Sequence, residues 1–376
     1  TCYMNSDAAW MNIGVHYRNV SGDRGTSKLQ DVSVPMEYHR PVSRGGKWTL
    51  RITPHLLNSG KHAQDAYTGS YYNFLDQGKS HQTPVDKVWV AAPEIEYQRE
   101  GRYRFKAMLG LSPAGGPVQP VPVFRLSLGK LNDWSIELRQ GSVMDSLLSA
   151  IGQKDPYSRK KWGRVVHSGI KANKNFDLQE SFWLSVQGEY DYYWGKNVAD
   201  NHRLGGNVSL GQTRDLYGME FSSGLSLTAF HYQNNQNFYT LGHGGYFSPD
   251  HFVLAGPFIR LLTPRCKDYW IDFSASLGWM NYKSSQAPHY RKVSQSSLLN
   301  MNVPARNDFQ GKYPSEDKAG LAMTLELQGM KLLTRNLALG GMAGINNSSD
   351  HTQWQAGLML RYFFDEREGF FNRAGF

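Results

Sequence analysis

At 376 residues, with 41 Lys and Arg against 32 Asp and Glu (net +9), the chain is long enough for two or three soluble domains or one large barrel. Its basic residues are scattered singly, without an arginine-rich helix or stripe, so the excess does not mark a nucleic-acid binder. Mean hydropathy is −0.53, and no stretch reaches the ~18 apolar residues of a membrane helix. Helical spans are thereby excluded. A membrane β-barrel is not, because its lipid-facing and lumen-facing residues alternate and average out.

Along the chain, period-two alternation recurs in sixteen runs, near 10–19, 28–40, 47–58, 89–98, 102–111, 119–128, 133–141, 162–173, 179–193, 203–213, 218–232, 251–262, 268–282, 318–330, 335–346 and 353–364. In "YWIDFSASLGWMNY", Tyr269, Ile271, Phe273, Leu277 and Trp279 share one face while Trp270, Asp272, Ser274 and Ser276 take the other. No helical period of 3.6 fits such a run, which is a strand with one apolar and one polar face. The connections alternate in length. "RGGK" (44–47), "REGR" (99–102), "GKLND" (129–133), "NKNF" (173–176), "RDLYG" (214–218), "TPRCKD" (263–268) and "LTRN" (333–336) read as tight turns, whereas 59–88, 142–161, 233–250 and 283–317 are long. Short turns at one end and long loops at the other mark a membrane barrel.

Aromatics gather where the runs end: Trp10, Tyr17, Trp48, Tyr103, Trp134, Tyr190, Tyr192, Tyr269, Trp279, Trp354 and Tyr362. They suit the two girdles of a membrane barrel, although strands favour aromatics in any setting. Ten residues at ~3.3 Å each, tilted ~40°, span roughly the 25 Å apolar band of an outer membrane. The expectation is an all-β, 16-stranded antiparallel transmembrane β-barrel of the bacterial outer membrane, with both termini periplasmic. One domain would cover 1–376, with 365–376 as a C-terminal periplasmic tail. No signal peptide opens the chain, which reads as mature or as a piece of something longer. Cys2 and Cys266 form no ligand cluster and read as unpaired thiols roughly 20 Å apart around the wall, at ~4.8 Å per strand.

Five stretches are distinctive in order: "GVHYRNVSGDRGTSKLQDVSVPMEY" (14–38), "GGKWTLRITPHLLNSG" (45–60), "DSLLSAIGQKDP" running into "WGRVVHSG" (145–169), "GKNVADNHRL" (195–204) and "TLGHGGYFSPDHF" (240–252). On these the chain resembles the C-terminal domain of the cellulose synthase operon protein C family, across essentially its whole length. The resemblance implies a barrel that passes a nascent β-1,4-glucan, cellulose, out of the periplasm. It implies as partners the polysaccharide in the lumen, outer-membrane lipid and lipopolysaccharide, and the periplasmic and inner-membrane synthase components. The last would dock through tetratricopeptide repeats that precede the barrel in the family, and the chain shows no helical period of about 34 residues. No cofactor, metal or nucleic acid is implied.

Strand parity assigns the lumen side chains. Carboxylates there are Asp31, Glu37, Glu94, Glu96, Glu137, Glu189, Asp191, Glu220, Asp272 and Glu326; bases are Arg51, Arg104, Lys106, Arg125, Arg139, Lys171 and Arg361. Neither sign dominates, which suits a neutral polymer better than a polyanion. Trp183, Tyr193, Phe230, Tyr232, Trp270 and Tyr282 share that face and could stack on pyranose rings. The alternative for every one of these residues is that it stiffens the wall.

"LGHGGYFSPD" falls on the long-loop side. Its glycines precede no helix, so a phosphate cradle has no physical basis. It reads as a gating cap built by Gly242, His243, Gly244, Gly245, Tyr246, Phe247 and Pro249, with Tyr246 or Phe247 toward the channel. His243, Ser248 and Asp250 contain the types of a nucleophilic triad, but they crowd into eight residues without a second element. His16, His55 and His167 lie on separate strands without metal-ligand spacing. Residues 146–151 read as a short helix ended by Gly152, able to fold inward. A general diffusion porin and a barrel hydrolase stand as alternatives to the exporter.

Overall fold

The computed structural model describes residues 8–42, 45–62, 67–72, 84–155, 158–263, 267–294, 310–348 and 351–370. Cys2 and Cys266, with the separation expected of them, lie outside these. Sixteen strands close into one antiparallel barrel: β1 Trp10–Val20, β2 in two segments (Leu29–Ser33 and Met36–Val42), β3 Gly46–Asn58, β4 Lys87–Arg99, β5 Arg104–Leu111, β6 Pro122–Lys130, β7 Trp134–Ser142, β8 Lys161–Asp177, β9 Phe182–Lys196, β10 Asn201–Leu216, β11 Met219–Tyr232, β12 His251–Leu262, β13 Tyr269–Ser284, β14 Glu316–Leu332, β15 Leu337–Ser348 and β16 His351–Phe363. Each pairs with its neighbours in sequence, and β16 returns to β1 from Trp10↔Phe363 to Val20↔Gln353, so no edge is left open. The two segments of β2 keep one register against both neighbours. Pro35, which has no N–H to give the ladder, interrupts the strand without displacing it.

The short turns gather at the end that also carries Ala9 and Phe364, whose backbones are bonded (3.0 Å). The turn expected at 173–176 lies instead at 178–181, where Glu180 (φ 56°) and Ser181 (φ 70°) reverse the chain. "NKNF" has turn-like residues, but Asn173 faces inward and donates to Ser185 Oγ (3.3 Å), so the ladder runs on. At the opposite end the loops are long, with two exceptions, 197–200 and 349–350.

Outward positions carry an apolar belt: Leu204, Leu225, Leu321 and Leu358 are 63–65% exposed. Aromatics flank the belt. Toward the short turns Trp48 meets Tyr97 (4.9 Å) and Tyr103 meets Trp134 (6.3 Å); toward the long loops Tyr17 meets Trp354 (4.9 Å). Trp10 departs from the expected girdle. It turns inward, stacks on His39 (4.8 Å) and lies under the Arg361 guanidinium (4.2 Å). Inward Trp270, Met330, Met359 and Phe363 form a small core at this end, closed by Phe370 as residues 364–370 fold back across the turns.

Candidate functional site: cap and lumen

Helix α1 (Leu147–Ile151) lies in the long β7–β8 loop. Ser146 caps it: its Oγ accepts from Ser149 N (3.2 Å), while Ser149 Oγ accepts from Ser146 N (3.0 Å). Gly152 ends it at φ 73°, a conformation that a side chain resists. Leu147, Ala150 and Ile151 pack on the upper wall through Val20, Leu29, Leu57 and Val90. On its other side Leu148 meets Trp162, Leu241 and Tyr290. The expected helix therefore folds inward and forms one half of a cap over the mouth.

The other half is the segment 233–250. Ser146 Oγ donates to Gly245 O (2.6 Å), and Phe247 N donates to Asp145 Oδ2 (3.2 Å), joining the two halves. Leu241 bonds Gly69 and Arg291 through backbone, so loops from three sides converge here. Gly242 (φ +89°) is required by that convergence: a Cβ there would lie 1.7 Å from Arg291 O. Tyr246 is buried, stacked on Tyr193 (5.2 Å, 13°), and its hydroxyl accepts from Asn201 Nδ2 (3.1 Å). Phe247 stands edge-on to Tyr282 (5.2 Å). Tyr246 and Phe247 thus both point at the barrel wall beneath.

His243 is fully buried; its Nε2 bonds Pro288 O (2.8 Å). Burial pushes the imidazole down to about 3, helped by nearby Arg291 and His289 against the Pro288 bond, so the ring is neutral. Ser248 Oγ donates to Tyr246 O (3.1 Å) and accepts from Gln236 N (2.7 Å), while the Asp250 carboxylate accepts from Ser285 Oγ. None of the three bonds another. Their hydrogen bonds hold the cap, and the triad expected as an alternative is not assembled.

Below the cap the lumen is polar, with acids and bases side by side. Arg139 bridges Glu189 (2.8 Å) and Asp191 (2.7 Å); Arg203 also bonds Glu189, and His167 bonds Asp191 (3.0 Å). Arg51 joins Glu37 and Glu94, Lys106 holds Glu96 (3.1 Å), Arg125 faces Glu137 (3.6 Å), and His55 holds Asp31 (2.9 Å). These pairs lie on β2–β10. From β10 onward hydroxyls and amides prevail and bond one another: Asn207 Nδ2 donates to Ser226 Oγ (2.9 Å) and Thr228 Oγ1 (2.8 Å), and Thr213 shares a bond with Ser222 (2.8 Å). His16 lies 3.5 Å from Ser33 Oγ, apart from a metal-like cluster, and among the described residues no group of three or more His, Cys, Asp or Glu is placed to hold a metal.

The expected stacking residues divide. Tyr193, Tyr232 and Tyr282 face inward but are covered by the cap, and Phe230 stacks on Phe252 (4.5 Å). Trp270 and Arg361, each 2% exposed, are sealed at the short-turn end beneath Phe370 and Trp10; neither is open to a polymer. Trp183 keeps an open ring: it spreads over Gly211, where a Cβ would lie 2.5 Å from it, and anchors Nε1 on Thr213 (3.0 Å). Parity could have found Arg203, which lies on the polar face near the start of β10. Arg164 had no such signal. It is a non-glycine residue at φ 47°, and its buried guanidinium donates to Val118 O, Pro113 O, Gly115 O and Ser112 Oγ (2.6–3.0 Å), tying the 112–121 loop to β8.

A closed sixteen-stranded sheet with an apolar outer belt, a polar lumen and a folded cap defines an outer-membrane β-barrel. The chain belongs to the family described as cellulose synthase operon protein C C-terminus, whose model matches residues 27–365. It is 28% identical over 369 residues to cellulose synthase operon protein C of Pseudomonas fluorescens (strain SBW25), covering 95% of this chain and 27% of that protein. It is 30% identical over 301 residues to the protein of the same name from Xanthomonas axonopodis pv. citri (strain 306), covering 73% of this chain and 19% of that protein. The chain thus spans about a quarter or less of the length of these curated relatives. Among solved structures it resembles a bacterial polysaccharide outer membrane secretin, at 11% identity and a TM-score of 0.56, covering 96% of this chain and 100% of that one. That likeness is one of fold.

Proposed function

We propose that this barrel is the outer-membrane conduit through which a neutral polysaccharide, cellulose, leaves the periplasm, and that it works without catalysing a reaction. The observation that carries the reading is the local neutralisation of the lumen. Arg139 and Arg203 balance Glu189 and Asp191 within a single patch, as Lys106 balances Glu96 and Arg125 balances Glu137, while Arg51 offsets half the charge of Glu37 and Glu94. A wall of this kind presents hydrogen-bond donors and acceptors with little net field. It suits a chain of hydroxyls, whereas an exporter of a polyanion would concentrate one sign. Family membership supports the substrate. The remainder of the longer relatives would supply docking to periplasmic and inner-membrane synthase components.

The cap closes the mouth at rest, so transport needs it displaced. Reconstituted in a planar bilayer with residues 242–248 deleted, the barrel should conduct K⁺ and Cl⁻ with weak selectivity and be blocked by cellohexaose. Strong ion selectivity without block would favour a diffusion porin and refute the proposal.

A further inference from the structure

Eight of the ten lumen carboxylates are held by basic partners, and Glu220 lies in the field of Arg260. Glu326 differs: it is exposed to the lumen and has no hydrogen bond or ion pair with any described residue. Wall stiffening therefore does not account for it.

Register explains what surrounds it. Arg260↔Ser274, Ser274↔Glu326, Glu326↔Gly344 and Gly344↔Gln355 form one rung across five strands. The next rung runs Asp272↔Gln328, Gln328↔Met342 and Met342↔Gly357. Gly344 and Gly357 take inward positions without a side chain, so the wall recedes between them. The result is a recess of about 440 Å³ whose polar lining includes Glu326, Gln328, Gln355 and Ser274. One flank is a bidentate pair in which Arg260 Nε and Nη2 donate to Asp272 (2.9 and 2.6 Å). That volume lies within the range of small-ligand sites.

We infer that this recess is a saccharide-contacting subsite of the lumen, in which the Glu326 carboxylate accepts hydrogen bonds from hydroxyls of a neutral glycan while Gln328 and Gln355 donate and accept alongside it. The inference rests on the reading of the barrel as a polysaccharide conduit. An unpaired carboxylate is an acceptor only, so it favours a ligand rich in O–H donors and repels a uronate. The paired carboxylates of β2–β9 already have donors and gain less from the polymer.

Cellohexaose binding to the detergent-solubilised 376-residue chain, measured by isothermal titration calorimetry, tests this. Heat-modified gel mobility reports whether each variant is folded. Glu326→Ala should weaken binding about tenfold, the scale of hydrogen bonding to a charged acceptor, and Glu326→Gln should weaken it less. Glu94→Gln, which alters a carboxylate already held by Arg51, should weaken binding clearly less than Glu326→Ala does. No binding by the unsubstituted chain would overturn the conduit reading itself. Binding that Glu326→Ala leaves intact would overturn the subsite and leave the conduit standing. An equal loss in Glu326→Ala and Glu94→Gln would also overturn it, because a diffuse field would then explain both.

Discussion

Replacing Tyr246 with alanine should open the mouth and leave the barrel intact. The ring is 1% exposed, lies flat on Tyr193 at 5.2 Å and is flanked by Tyr232 at 6.1 Å, yet it belongs to no strand. Truncating a buried aromatic costs about 3–5 kcal/mol in lost transfer energy and cavity formation. All of that loss falls on the closed cap, since the open cap already exposes the ring. At about 1.4 kcal/mol per tenfold, the closed-to-open ratio should fall by at least about a hundredfold. Tyr246→Phe is the control. It keeps the stack and loses only the bond from Asn201 Nδ2, worth about 1 kcal/mol. Amide hydrogen exchange should accelerate across 236–248 in Tyr246→Ala, with the β9–β11 ladder still protected, and single-channel conductance should rise. If exchange in 236–248 is unchanged while the protein is folded, Tyr246 does not hold the cap and the reasoning fails.

Two further outcomes concern the same end. Arg164→Met should release the 112–121 loop, because four acceptors lose one buried guanidinium; limited proteolysis should then cut near 113–119, and resistance equal to the parent chain would count against the tie. Acidification should also loosen the cap, for His243 is held down at about 3 when buried and titrates near ~6.5 when exposed. Below that pH the open state binds more protons, so the closed cap has its full stability above pH ~6.5 and loses it as pH falls, by about 2 kcal/mol at pH 5. Exchange in 240–248 should quicken between pH 7.5 and 5 after correction for intrinsic rates, and His243→Gln should abolish or reverse the trend, because burial raises the pKa of Asp145, which accepts from Phe247 N and so favours the closed cap as pH falls.

Period-two alternation located all sixteen strands because membrane and lumen impose opposite polarity on successive residues. It misplaced the turn after β8 because Asn173, Lys174 and Asn175 look like turn residues while lying inside a polar-faced ladder. Parity also told which side chains face inward. It could not tell whether an inward residue is open. Trp270 and Arg361 have the same parity as Trp183, yet Phe370 and Trp10 seal them, through a tail and a first strand far away in sequence. The cap aromatics show the same limit: Tyr193 and Tyr232 face the pore, and the loop 233–250 then covers them.

The same distinction governs the charges. From sequence, Glu189 and Glu326 are alike: single carboxylates on the polar face of a strand. Register separates them, for Glu189 stands within reach of Arg203 on the strand beside it and of Arg139 two strands away. Glu326 instead stands between Ser274 and Gly344 on its two neighbours. A lumen charge is therefore structural or available according to residues on other strands. The five stretches on which the resemblance rests follow a related logic. Three of them, 145–169, 195–204 and 240–252, meet in the cap, where Ser146 bonds Gly245 and Ala199 bonds Gly242. A wall strand needs only alternation, which many sequences satisfy. A cap in which a glycine must clear a carbonyl by the width of one missing Cβ admits few, so the recognisable motifs concentrate where the loops pack on one another.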